Sequence, residues 1–174
     1  MHCNTAHHWY KGLVESIGLE MLHIADAVCS ELHRHNPASI TVGSLATPCT
    51  IVSGFYQKRL ADVVYECLEP DDNEIERVYE GIVALKAGDF AYGRDVLMAE
   101  VDSLRRRNIT TIILGCTELT LVLSDHDIFI DSSQVLAKAC VAKAREIDIC
   151  SPHLTFVSTE DKIAFTELTS RLPI

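Results

Sequence analysis

Positive charge is scarce in this 174-residue sequence: 15 Lys and Arg stand against 25 Asp and Glu, giving a formal net charge of −10 and a pI near 5.2. With no basic stripe available, nucleic acid and anionic membrane surfaces are excluded as partners. The one basic run, Arg105 to Arg107, falls where a helical pattern ends, and cations suit that end of a helix. Long apolar runs are also missing. No stretch approaches the roughly 18 uninterrupted apolar residues of a membrane span. Nor does the start carry the basic region and apolar run of a signal peptide. The seven cysteines are an odd number and include no Cys-x-x-Cys pair. Without a secretory context they read as reduced thiols, and the expected location is the cytoplasm. Low-complexity linkers and short-period repeats are absent as well.

What is present points to a globular chain. Hydrophobic residues make up 48% and the mean hydropathy is +0.14, enough for one well-cored domain or two small ones. Apolar, β-rich runs alternate with helical patterns. "EMLHIADA" and "SITVGSLAT" read as strands, the second followed by Pro48 at a helix start. "IVSGFYQKRLADV" reads as a helix and "VYECLEP" as a strand. From Asn73 to Arg107 the apolar residues recur at helical spacing, with Gly88-Asp89 dividing the stretch in two. "TTIILGC" is a near-continuous apolar strand of the kind buried on both faces of a parallel sheet. "TELTLVL" follows as a short helix, then "IFIDSS" as a strand, "QVLAKACVAKAREI" as a helix, and "HLTFVSTEDKIAFTELTSRL" as a last strand and helix. This alternation predicts an α/β fold with a parallel sheet.

Among the cysteines, Cys29, Cys67, Cys140 and Cys150 lie in apolar or helical settings and are expected to be small buried hydrophobes. Cys3 and Cys116 differ. "ILGCTEL" places Cys116 just past a buried strand and at the start of a helix, the edge where open α/β sheets bind ligands. Unpaired amides and the helix dipole there are expected to lower its pKa. "HCNTAHHWY" repeats the grammar, a Cys followed by Thr and a helical pattern through Trp9, Leu13 and Ile17, but has no strand before it. His2, Cys3, His7 and His8 do not form a recognised zinc spacing, and no metal is expected. A Cys-His hydrolase built on Cys3 needs an orienting third group that the sequence does not name. Two facing thiols suit inversion of a carbon stereocentre, one acting as base and the other as acid.

Taken in order, "CNTAHHWY", "LHIADA", "LATPCTIVSGFY", "YEGIVALKAGDF", "LGCTEL" and "DSSQVLAKA" resemble the pyridoxal-phosphate-independent aspartate/glutamate racemases, most closely the aspartate racemases, from residue 3 to about 145. The resemblance implies two pseudo-symmetric α/β domains with a catalytic cysteine from each, here Cys3 and Cys116, and no cofactor. It implies substrate contacts from Asn4, Thr5, Thr47, Thr50, Lys86, Thr117 and Glu118, with Lys86 near the second carboxylate of a small dicarboxylic amino acid. Cys49 stands where that family has Gly, and the tail after Cys150 is more similar to glutamate racemases.

The family also has a glycine-rich opening turn, further strands and a substrate-binding arginine before its first cysteine motif. On this basis residues 1–26 are expected to be the remnant of an incomplete first domain, 27–130 the second domain and 131–174 a return to the first. Weak or absent activity, and self-association through the uncovered apolar face into a possible homodimer, are expected to follow. The alternatives to a racemase are an inactive fragment, a dicarboxylate-binding module, or a related cysteine-dependent isomerase or decarboxylase.

Overall fold

The structure is a computed structural model and describes residues 1–35, 41–63, 65–68, 70–123 and 127–150. A 3₁₀ turn over Thr5–Trp9 runs into α1 (Tyr10–Ile17), followed by α2 (Ile24–His35), β1 (Thr41–Ala46), α3 (Pro48–Val52) and α4 (Phe55–Ala61). Next come β2 (Glu66–Leu68), α5 (Asp72–Lys86), α6 (Phe90–Arg106) and β3 (Ile112–Gly115). A second 3₁₀ turn over Thr117–Leu119 leads to α7 (Thr120–Leu123), β4 (Phe129–Asp131) and α8 (Ser132–Cys150). Met1–Cys140 form one compact unit, and the rest of α8 falls outside it.

The four strands pair in parallel in the order β2-β1-β3-β4. Successive residues of a strand face opposite sides of a sheet, and β3 uses both sides. Ile113 joins a core with Ile24, Val28 and Leu32 of α2, and with Phe55, Tyr56 and Leu60 of α4. Ile112 and Leu114 join the opposite core, with Val78, Ile82 and Leu85 of α5 and Leu97, Val101 and Leu104 of α6. All three β3 side chains are at most 1% exposed. Each such burial contributes about 1.5–3 kcal/mol, which is why the strand is apolar throughout and takes an inner position.

The helix α2 corrects the reading of "EMLHIADA" as a strand. Its apolar residues Ile24, Val28 and Leu32 lie four apart, on one helical face, and the quoted stretch is too short to expose that period. His23 starts the helix by accepting the Ala25 N–H on Nδ1 at 3.1 Å. The stretch read as one helix after Pro48 is two, because Gly54 adopts a left-handed φ of +64° between α3 and α4. Asp131 accepts the Ser133 and Gln134 N–H groups, so α8 begins before the expected Gln134. Cys29 is buried as expected and Cys67 partly so. Cys140 is exposed, since the core contacts of α8 end at Ala139. Cys150's side chain and the strand and helix read in the tail lie outside the described residues.

Helices α5 and α6 form a tight antiparallel hairpin, broken at Gly88 as the sequence indicates. Asp71 and Glu74 make reciprocal backbone bonds, a capping box that starts α5. Glu74, 7% exposed, also accepts the Ser103 hydroxyl at 3.1 Å and the Arg107 guanidinium at 3.0 Å. Arg107 therefore does more than close α6: it ties the end of α6 to the start of α5. Arg77 and Glu100 form a second cross-link. Burial alone would raise the Glu74 carboxyl, but the Asp71 N–H, Arg107 and Ser103 outweigh it and hold the group below its ordinary range. A depressed carboxylate contributes stability that is present above its unfolded pKa and lost as pH falls through the folded value. Urea unfolding as a function of pH checks this: Glu74→Gln is expected to destabilise the chain near neutrality by about 1–3 kcal/mol and to flatten the acid limb of the stability curve.

The hairpin is close because Gly81 and Gly93 face each other across it. A Cβ at Gly93 would stand 2.7 Å from Leu85 Cδ2, and one at Gly81 would stand 2.7 Å from Leu97 Cγ. Both leucines are buried and cannot swing away. Gly93→Ala should cost about 1–3 kcal/mol despite the better helix propensity of Ala. A higher melting temperature in that variant would contradict the packing argument.

Candidate active site

The strand β3 delivers Cys116 from its carboxyl end, as its apolar run followed by Thr-Glu indicates. Gly115 precedes it because β3 lies so close to β1 there: an added Cβ would sit 2.8 Å from Ala46 Cβ and 3.2 Å from the Leu45 carbonyl oxygen. Cys116 is extended and 7% exposed, and its thiol donates to Glu118 Oε2 at 2.9 Å. The Thr117 hydroxyl donates to the same oxygen at 3.0 Å. Lys86 Nζ, from the last residue of α5, lies 3.6 Å from Glu118 Oε1.

The expected lowering of the Cys116 pKa is overturned. Burial pushes the thiol up to about 12, helped by the Glu118 carboxylate, and outweighs the backbone N–H of Glu118 and the charge of Lys86. The element that follows is only a three-residue 3₁₀ turn, so little helix dipole reaches the sulfur. Glu118 moves the other way: burial would raise it, but the Cys116 thiol, its own backbone N–H, Thr117 and Lys86 hold it below the ordinary range.

At the other corner Cys3 is exposed, whereas Asn4 beside it is 2% exposed. The Asn4 amide is engaged at both ends. Tyr56 donates its hydroxyl to Oδ1 at 2.6 Å, and Nδ2 donates to Ser132 Oγ at 3.0 Å. Ser132 in turn donates to the Leu114 carbonyl at 2.6 Å. Burial raises the Tyr56 phenol well above its ordinary value, keeping the proton it donates. A continuous chain of bonds thus runs from the residue after Cys3 to β3, two residues before Cys116. Thr5 completes the first corner. Its hydroxyl lies 2.9 Å from that of Thr47 and 3.3 Å from that of Thr50, which are themselves 3.0 Å apart. Thr47 is also the N-cap of α3, with Pro48 in its first turn, and Cys49 beside it is exposed.

Tyr56 and Ser132 carry no signal of their own in the sequence. Both fall inside motifs that point to the site, "SGFYQ" and "DSSQ", but their partners lie 52 and 128 residues away. His7 is buried in a ring cluster with His23, Tyr10 and Phe55, and its Nε2 donates to the Met1 carbonyl. Among the described residues no group of three His, Cys, Asp or Glu side chains could hold a metal ion. Nor, among them, is any helix long and apolar enough to cross a membrane.

The sequence pattern of the family described as Asp/Glu/hydantoin racemase matches residues 1–140. The chain belongs to this family. RacX of Bacillus subtilis (strain 168), a broad specificity amino-acid racemase, is 31% identical over 144 residues, which span 80% of this chain and 61% of RacX. A protein of the pnlA 3' region of Pectobacterium carotovorum subsp. carotovorum is 33% identical, over 76% of this chain and 91% of its own length. The aspartate racemase of Picrophilus torridus superposes with a TM-score of 0.67 at 26% identity, covering 83% of this chain and 60% of that one. An aspartate racemase homologue from Pyrococcus horikoshii OT3 gives 0.70 at 26%, covering 82% and 64%. This racemase-family chain therefore spans about three fifths of RacX and of those two solved structures.

The buried network yields a prediction about the Tyr56–Asn4 bond. Tyr56→Phe leaves Asn4 Oδ1 buried without its donor, a loss of about 1–3 kcal/mol. Urea unfolding at neutral pH measures it; an unchanged midpoint would mean that the bond contributes nothing to this family member's stability.

Proposed function

We propose that the chain serves cofactor-independent racemisation of a small dicarboxylic amino acid of the aspartate/glutamate class. The observation that carries this reading is the bonded path from Asn4 through Ser132 to Leu114, which fixes the Cys3 corner relative to the Cys116 corner. In this reading the Cys3 thiolate removes the α-proton from one face of the substrate. The Cα–H bond breaks, an S–H bond forms on Cys3, and the electron pair passes into the α-carboxylate. The Cys116 S–H then breaks and its proton forms the new Cα–H bond on the opposite face. The stereocentre is inverted and the thiols have exchanged protonation states, so the opposite enantiomer is processed in reverse.

The three hydroxyls of Thr5, Thr47 and Thr50 are the donors for one carboxylate, and Lys86 takes the second. Thr117 and Glu118 border Cys116 on the same side. Asn4 acts in this reading as the anchor of the Cys3 backbone, its amide being engaged on both sides. The pseudo-symmetric two-domain arrangement, with 1–26 and 131–174 belonging to the first domain and 27–130 to the second, is part of the proposal. Self-association is part of it too, since Trp9, Ile17 and Leu19 leave apolar surface exposed.

A second reading, dicarboxylate binding without racemisation, is favoured by one observation: the Thr5, Thr47 and Thr50 hydroxyls and the Lys86 ammonium can hold carboxylates with no part taken by either thiol. Deuterium exchange at the α-carbon of L- and D-aspartate and glutamate, without pyridoxal phosphate, separates the two when run beside calorimetric binding. Racemisation predicts exchange that falls by about 10²-fold or more in both Cys3→Ala and Cys116→Ala. Exchange that survives either substitution overturns the two-thiol mechanism. Binding without exchange selects the second reading, and neither binding nor exchange rejects both.

A further inference from the structure

We propose that the cavity framed by the first 3₁₀ turn, α1 and α4 binds a small aryl carboxylate that also carries a hydroxyl, the hydroxyl donating to His7 and the carboxylate resting on Arg59 and Lys11. None of these residues belongs to the substrate contacts assigned above, so the proposal stands apart from the racemase reading. The cavity holds about 190 Å³, and its lining residues all lie in the compact unit Met1–Cys140. At about 30 Å³ per water there is room for about six waters, less than the roughly 300–1,000 Å³ of sites for drug-sized ligands. A single ring with small substituents suits this space; a nucleotide does not. The walls are aromatic. Tyr10, His7, His23 and Phe55 line the cavity, with the His7 and His23 rings 4.5 Å apart and the His23 and Phe55 rings 5.2 Å apart.

One acceptor on this wall is left over. His7 is 3% exposed and its Nε2 donates to the Met1 carbonyl at 3.0 Å, so in the neutral ring Nδ1 carries the lone pair. Burial, against the opposing pull of the Met1 carbonyl, holds His7 below its ordinary pKa and keeps the ring neutral. Nδ1 is buried and has no partner among the described residues. Three polar groups beside it are already engaged. Tyr10 donates its hydroxyl to the Met21 carbonyl at 2.5 Å, Ser53 donates to the Thr50 carbonyl at 2.6 Å, and His23 Nδ1 accepts the Ala25 N–H at 3.1 Å. Buried polar atoms in native folds are bonded with few exceptions. A bound molecule with a hydroxyl at this end supplies the missing donor.

The charges on the wall are of one sign. In a chain of net charge −10, Arg59 and Lys11 line the cavity and no acidic residue does. Arg59 meets Asp26 through Nε, which orients the guanidinium and leaves its Nη groups without a bond to a described residue. Lys11 pairs only loosely with Glu15, at 3.9 Å on exposed surface. A cationic ligand is repelled by both, whereas a carboxylate matches the planar fork of an arginine. A donor for His7, an anion for the two cations and a flat apolar body for the rings are combined in a hydroxyaryl carboxylate.

Titration calorimetry of the chain with para-hydroxybenzoate at neutral pH tests this, and one molecule should bind per chain. Benzoate, which lacks the donor, should bind about threefold to tenfold more weakly. Para-hydroxybenzyl alcohol, which lacks the charge, should bind weaker by about tenfold or more. Arg59→Gln should weaken para-hydroxybenzoate by about tenfold or more, and Lys11→Met, at an exposed position, should weaken it severalfold. His7→Phe should bind the two acids equally. No binding, or binding that neither Arg59→Gln nor Lys11→Met weakens, overturns the proposal. Benzoate binding to the parent as tightly as para-hydroxybenzoate overturns the part assigned to His7, and that comparison needs no variant to fold.

Discussion

The buried amide of Asn4 is the joint on which the arrangement of the site depends. It is a bond acceptor for Tyr56 of α4 and a donor to Ser132 at the start of α8, and Ser132 closes onto the β3 backbone. An asparagine that is 2% exposed is tolerable only because both ends of its amide are matched, since an unmatched buried polar group costs about 1–3 kcal/mol. Against a total stability of about 5–15 kcal/mol, two or three such groups are a large share. The same bonds that make the Asn4 segment affordable in the core also hold the exposed Cys3 next to it. Stability and placement of the first thiol are therefore one problem with one solution.

The second corner is solved differently. Cys116 is held by a strand buried on both faces and by the close approach of Gly115 to β1, so its position comes from packing. Its protonation comes from burial and from Glu118. The two thiols thus sit in unlike settings, one exposed and one 7% exposed beside a carboxylate.

Sequence patterns made the sheet, the strand before Cys116 and the α5–α6 hairpin legible, because each rests on local periodicity, on a run of apolar residues or on a Gly-Asp stop. The place of Cys116, just past the end of β3, was legible from the apolar run that precedes it and the Thr-Glu that follows. The helix α2 was not, since "EMLHIADA" covers too little of its 3.6-residue period and contains enough apolar residues to pass as a strand. Tyr56, Ser132 and the Glu74–Arg107 tie were not legible either. Their meaning lies in pairings between residues 33 to 128 positions apart, and no local pattern encodes a partner at that distance. The Cys116 pKa failed for a related reason: a helix start can be read from sequence, but depth of burial and the direction of a neighbouring carboxylate cannot.

Lys86 shows how a local signal and a long-range placement coincide. It is the last residue of α5, where a cation is favoured by the dipole, and Gly88 at φ +85° ends the helix two residues later. Those features alone describe an ordinary solvated helix end. What turns it toward Glu118 is the position of the whole helix, which Gly81 and Gly93 allow to pack tightly on α6 while Val78, Ile82 and Leu85 anchor it to the sheet. The reach of a flexible lysine is several ångströms, so a helix displaced by a fraction of a turn would leave Lys86 facing solvent. The close glycine contact on the far side of α5 is in this sense part of the site, although neither glycine approaches the sulfur or its partners.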